Sequence, residues 1–210
     1  MVASQMNMNQ QHKMTAVGKI AAKIIRVLTI PPLLVSALMV LLYVQMPEMF
    51  RGIGDLFAVV GFLAVVPTLA YPLQPFIPKF RGKGREGQRK LAFIMSFVGY
   101  VGGLIFALVS QITAELRIVF IVYFLSMLIL VAFNRFSAHH ASGHACGLMG
   151  PPLFAVYYLG FSWLIPCALL GVAVAWSSLY LKRHTARELL LGAMCSALAF
   201  SLVVSIAALL

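Results

Sequence analysis

The sequence predicts an all-α protein, a polytopic transmembrane helix bundle of six or seven spans. One ground is composition: 62% of the 210 residues are apolar, against sixteen Lys and Arg and five Asp and Glu. That is far more apolar surface than one soluble core can hide. The other ground is run length, since crossing about 30 Å of hydrocarbon takes roughly 20 helical residues. Apolar runs of about that length lie near 27–45, 55–73, 91–110, 116–133, 141–160, 162–181 and 187–209, which makes seven spans the working count. They form a single transmembrane domain over 27–210, preceded by a basic segment at 1–26.

Within that segment, "KMTAVGKIAAKIIR" at 13–26 sets Lys19, Lys23 and Arg26 on one helical face, with Val17, Ile20, Ala21, Ile24 and Ile25 largely on others. It reads either as an interfacial helix on anionic lipid or as the basic flank of the first span. The run at 27–45 is too long for the core of a cleavable signal peptide and has no small-residue cleavage pattern after it, so it is expected in the mature chain. The fifth run carries Pro151 and Pro152, which predict a broken or re-entrant half helix and leave the six-span count open. Cys146, Cys167 and Cys195 are odd in number and lie in apolar runs, so buried thiols are expected rather than a disulfide framework.

With seven spans, 1–26, 74–90, 134–140 and 182–186 share one face of the membrane. Fourteen of the sixteen Lys and Arg fall on that side, all but Arg51 and Arg117. The positive-inside tendency makes it the cytoplasmic face. The same parity brings three polar clusters, at 79–90, 134–144 and 177–188, out on one face, where they can form a single site.

The first cluster, "KFRGKGREGQRKLAF", carries Lys79, Arg81, Lys83, Arg85, Arg89 and Lys90. Arginine forks match phosphate oxygens in geometry and charge, and Arg85 and Arg89, four apart, face one way if the helix of the third span begins here. A solvated basic loop is the other reading. The second, "SAHHASGHACGLMG", sets His144 after Ser142-Gly143, a turn or helix start whose free N–H groups can hold an anion. A histidine there can carry and release a proton near neutrality. The third, "WSSLYLKRHTARELLLGA", has His184 and Glu188 at i and i+4. A carboxylate there can take the proton of one ring nitrogen and leave the other nitrogen aimed outward as a nucleophile.

In this order the clusters resemble the type 2 phosphatidic acid phosphatase and vanadium haloperoxidase superfamily, over about residues 79–200. Its second motif, Ser-Gly-His, appears as "ASGH" at 141–144, with Ala141 where proline is usual. Its third motif, Ser-Arg, five residues, His, three residues, Asp, appears as "SSLYLKRHTARE". The resemblance implies that fold and metal-independent phosphoester hydrolysis with no cofactor. His184 would be the nucleophile, Glu188 its orienter, His144 the general acid, and Lys83, Arg85, Arg89, Ser142 and Gly143 the phosphate holders. Ser178 stands in place of the motif arginine, Glu188 in place of the aspartate, and Arg89-Lys90-Leu91 where an arginine-proline ending is usual. Arg183, Arg187 or Arg135 would have to supply the missing guanidinium.

The expected partners are a membrane lipid phosphate and anionic headgroups rather than nucleic acid. The expected location is the cell membrane of a bacterium or archaeon, with the site on the N-terminal face. Two other readings stay open: a lipid-phosphate binding protein or transporter without chemistry, and a metal or haem site on His140 and His144.

Overall fold

The computed structural model describes residues 16–209, so Lys13 and the rest of 1–15 lie outside the described residues. Eight helical elements follow: α1 (Ala16–Leu28), α2 (Pro31–Gln45), α3 (Ile53–Phe76), α4 (Gly84–Val109), α5 (Ala114–Phe136), α6 (Gly143–Leu159), α7 (Phe161–Tyr180) and α8 (Ala186–Ala207). Among the described residues, five of them (α3, α4, α5, α7 and α8) are long and apolar enough to cross a membrane, and six if α1 and α2 count as one bent span. In those five, between 17% and 44% of the most apolar window is buried, so most of their apolar surface faces outward, as lipid-facing helices require.

Two expectations change. The first run is not one straight span: α1 and α2 meet at 55°. Pro31 and Pro32 open α2, and Ile30 is extended (φ −63, ψ 137), because the residue before a proline is pushed out of the helical region. The fifth run is not broken. α6 passes through Pro151 and Pro152 as one 17-residue helix, held on several sides by α2, α5, α7 and α8. At 1.5 Å per residue it measures about 25 Å, short of a full crossing.

The main core lies between α2, α3, α5, α6 and α8, around Met39, Leu42, Leu63, Phe120 and Phe154, each at most 1% exposed. Without a hydrophobic drive inside lipid, side-chain packing and close backbone approach hold such a bundle together. α8 packs along α5 and α6, α4 along α3 and α5, and α1 along α7. Cys146 and Cys195 are buried and, with Cys167, unpaired. The starts of α4 and α6, the end of α1, the connection between α7 and α8 and Ser196 within α8 all border one cavity.

Candidate functional site at one end of the bundle

Three local structures build the walls of this cavity, of about 1310 Å³. Before α4 the chain turns through Gly82 and Gly84, both at positive φ (74 and 50), a conformation that glycine adopts without a Cβ penalty. The Gln74 amide donates to the carbonyls of Phe80 (3.3 Å) and Gly84 (2.8 Å) and pins the turn. The helix therefore begins at Gly84, and Arg85 and Arg89 both line the cavity. Lys83, just before it, is exposed and does not line it.

At the second cluster, Asn134 clasps the backbone of Ala141, accepting its N–H at 2.6 Å and donating to its carbonyl at 3.2 Å. This sets Ser142 as the N-cap of α6, where its Oγ accepts the Ala145 N–H at 3.3 Å. The Ser142 N–H in turn donates to the Glu188 carbonyl at 2.9 Å, tying the second cluster to the third. Gly192 lets α8 come this close, because a Cβ there would collide with the Ser142 carbonyl oxygen and stand 3.0 Å from the Ala145 Cβ.

Gly192→Ala is therefore expected to cost about 1–3 kcal/mol by overpacking and to drag Ser142 away from His184. Thermal unfolding in detergent should register the loss. Gly171→Ala, whose Cβ meets nothing within 4 Å, is the control and should leave the midpoint in place.

At the third cluster, Thr185 caps α8 in a reciprocal box. Its Oγ1 accepts the Glu188 N–H at 3.2 Å, and its own N–H donates to Glu188 Oε2 at 3.0 Å. The same Oε2 lies 3.3 Å from His184 Nδ1. His184 precedes the helix, so the contact arises from the cap and not from helical i, i+4 geometry. With Nδ1–H given to Glu188, Nε2 carries a lone pair. It lies 3.4 Å from Ser142 Oγ, and His184 is among the residues that line the cavity. The order Ser142–His184–Glu188 matches a nucleophile–base–orienter triad, yet Ser142 is 4% exposed and occupied as a cap. The His184 side chain, 13% exposed, is the more accessible of the two.

Burial pushes the His184 imidazole below the usual histidine value, and the hydrogen bond it donates to Glu188 works against that shift. His144 lines the same cavity, within electrostatic reach of His184 and Arg26. Its Nε2 is buried and has no partner among the described residues.

Of the residues expected from sequence, Arg85, Arg89, Gly143, His144, Arg183 and His184 line the cavity, and Ser142 and Glu188 touch His184. Lys83, Arg135 and Arg187 are exposed and lie off it. The structure adds Arg26. It comes from α1, is half-buried, and stands in the positive field of Arg183, Arg89 and Arg85. Its Nη1 is buried and has no partner among the described residues. Asn134 and the Thr185 cap were also missed, although "TARE" at 185–188 carries the capping-box signature.

Cations are paired at both ends of the bundle, and on the cavity wall Lys90 holds Glu86 at 2.7 Å. Arg51 holds Asp55 at 2.6 Å, and Arg117 donates to the carbonyls of Ala107 (3.2 Å) and Ile112 (3.4 Å). Among the described residues, the guanidinium groups of Arg26, Arg85, Arg89 and Arg183 have neither a carboxylate nor a hydrogen-bond acceptor. Of the described His, Cys, Asp and Glu side chains, no three converge as a metal site would require.

Fold and cavity together define a multi-pass helical membrane protein with a cationic, histidine-bearing cavity at one end of its bundle. No family model, no curated protein and no solved structure matches this chain.

Proposed function

We propose that this chain is an integral membrane phosphatase that hydrolyses a lipid or polyprenyl phosphate through a phosphohistidine intermediate. The observation that carries the reading is the set of four unpaired guanidinium groups, Arg26, Arg85, Arg89 and Arg183, around the His184–Glu188 pair. Clustered cations without a carboxylate repel one another, and an oxyanion between them removes that cost. A phosphate meets this demand with oxygens that arginine forks match.

In the proposed reaction, His184 Nε2 attacks phosphorus as the ester P–O bond breaks opposite it, while Glu188 keeps the Nδ1 proton. Burial, and after it the positive field of Arg26 and His184, disfavours a proton on His144; a phosphate between these groups offsets that, and His144 then passes its proton to the departing alkoxide. The arginines and the N–H groups at the start of α6 hold the charge that builds on the oxygens. Water then attacks phosphorus, the P–N bond breaks, and His144 takes back a proton. The amphiphile's tail lies in the apolar part of the cavity and in lipid, where each buried CH₂ contributes about 0.8 kcal/mol.

The sidedness follows the charge distribution: the site shares the face of the basic α1, cytoplasmic by that tendency. Ser178 supports a second reading, a lipid-phosphate binder without hydrolysis. It is fully buried and presents no guanidinium where the resembling family carries arginine.

The test is phosphate release from a panel of phosphatidate, phosphatidylglycerol phosphate and polyprenyl phosphates by purified protein. Turnover that survives chelation and falls with vanadate is expected. Binding of these lipids with no release from any of them would favour the second reading.

The pH profile is a further check. Because burial lowers the His184 pKa, the neutral nucleophile persists below the usual value of about 6.5. The acid limb of the profile, set by protonation of His184, should therefore lie below that value. His184 also affects stability in the same direction: the unfolded chain binds its proton first, so the folded state loses stability as pH falls below about 6.5.

A further inference from the structure

Three faces run along α1, and one of them is buried against the bundle. Ala22 and Thr29 are buried and Ile25 is half-buried between them, at the i, i+3, i+7 spacing of a single stripe, where α1 packs along α7. Lys19, Lys23 and Arg26, four and three residues apart, form the second face. Lys23 and Arg26 line the cavity and Lys19 lies off it. Lys19 and Lys23 are exposed, and neither has a carboxylate partner among the described residues. The third face carries Val17, Ile20, Ile24, Val27 and Leu28, each between 53% and 77% exposed.

Neither water nor hydrocarbon suits such a helix. Water leaves five large apolar side chains uncovered, and hydrocarbon strands two ammonium groups within thirteen residues. The headgroup boundary accommodates both faces. The 55° bend at Ile30 allows α1 to lie there, because it turns the helix away from the direction of α2. The apolar face continues onto lipid-facing surface, since Val27 shares the cavity lining with Phe93 and Ile94 of α4, which are themselves exposed. Charge then selects the kind of leaflet. Arg81, Lys83, Lys182 and Arg187 are exposed in the turns and helix starts that frame the cavity, whereas the carboxylates of Glu86 and Glu188 are held by Lys90 and His184. That excess matches anionic headgroups.

We infer that the apolar and lysine faces of α1 dock on anionic lipid of the surrounding leaflet, and that this contact positions Arg26 in the cavity. Lys23 and Lys19 precede Arg26 by about 5 and 10 Å along the helix. Anchored on lipid, they hold α1 in place against the repulsion that Arg26 meets from Arg183, Arg89 and Arg85. The docking needs no hydrolysis; its effect on the cavity rests on the reading of that cavity as a lipid-phosphate site.

Nanodiscs of phosphatidylcholine, with and without phosphatidylglycerol, test both halves. A bimane dye on Ile20→Cys, in a Cys167→Ala background, reports the depth of α1. A nitroxide near the lipid headgroup should quench it more than one at the chain end, and more strongly in the anionic discs. Dominant chain-end quenching would make α1 part of a span, and disulfide-linked dimers of the undyed variant would put a second copy on this face; either overturns the docking. The second readout is binding of a phosphonate analogue of phosphatidate, which the protein cannot consume. Phosphatidylglycerol should tighten it at least about fivefold, the effect of one lysine at an anionic surface. Lys19→Glu should remove most of that gain, Lys19→Arg should keep it, and Arg26→Ala should bind weakly with no response to lipid composition. Equal affinity in the two discs, a gain that survives Lys19→Glu, or a full gain in Arg26→Ala overturns the inference. The predicted gain without phosphate release from natural lipids supports the docking while removing the phosphatase reading, and release with an affinity indifferent to phosphatidylglycerol does the reverse.

Discussion

Alanine in place of His184 is expected to lower phosphate release by at least about 10⁴-fold, since no other group near the phosphate replaces a lost nucleophile. The nearest hydroxyl, Ser142 Oγ, is buried and caps α6. Folding should survive, because the Thr185–Glu188 box that starts α8 does not need the imidazole. Wild-type protein quenched during turnover should carry a phosphoryl group that is stable to base and labile to acid, the signature of phosphohistidine, and the variant should carry none. Unchanged release by His184→Ala would end the mechanism. Glu188→Gln tests the orienting role separately. It removes the charge that Nδ1–H faces, so it should slow the reaction by less than loss of the nucleophile itself.

Arg26→Ala is expected to cost about 10²–10³ in kcat/KM, the usual effect of removing one preorganised donor from a developing oxyanion. Arg26→Lys should fall between, since an ammonium restores the charge but not the fork. The effect on stability should run the other way. Arg26 lies among Arg85, Arg89 and Arg183 with its Nη1 buried and, among the described residues, unpartnered, so removing it relieves repulsion and a desolvated polar group. A variant that melts no lower yet turns over poorly is the expected outcome. A side chain that serves only to dock α1 on α7 would lose stability and activity together. Lys83→Ala and Arg135→Ala, on exposed side chains off the cavity, should change turnover little.

These contrasts mark where linear reading of the chain stops. Arg85 and Arg89 were legible as a pair because spacing along one helix dictates a shared face. His184 and Glu188 were legible as neighbours for the wrong reason, since the cap of α8 and not its first turn brings them together. Arg26 was legible as basic and surface-seeking but not as part of the cavity. Nothing within α1 encodes its packing on α7, which depends on the 55° bend at Ile30 and on side chains more than a hundred residues away. Lys83 and Arg135 were indistinguishable in type from the arginines that line the cavity. Their place just outside it is set by where the Gln74-pinned turn and the last turn of α5 end.

By itself the sequence determined that the chain is helical and membrane-bound, because run length and the cost of unpaired backbone in hydrocarbon leave few alternatives. The expectation that the polar clusters emerge together rested on a seven-span count, whereas five described helices, or six with the bent pair, are long and apolar enough to cross. Tertiary structure alone decided that α6 continues through Pro151 and Pro152, that the Ser142 backbone bonds to Glu188, and that four guanidinium groups surround one cavity. The physical reason is range. Helix formation and bilayer partition act within a segment, whereas which faces meet is settled by packing and close backbone approach, as at Gly192, between segments far apart in the chain.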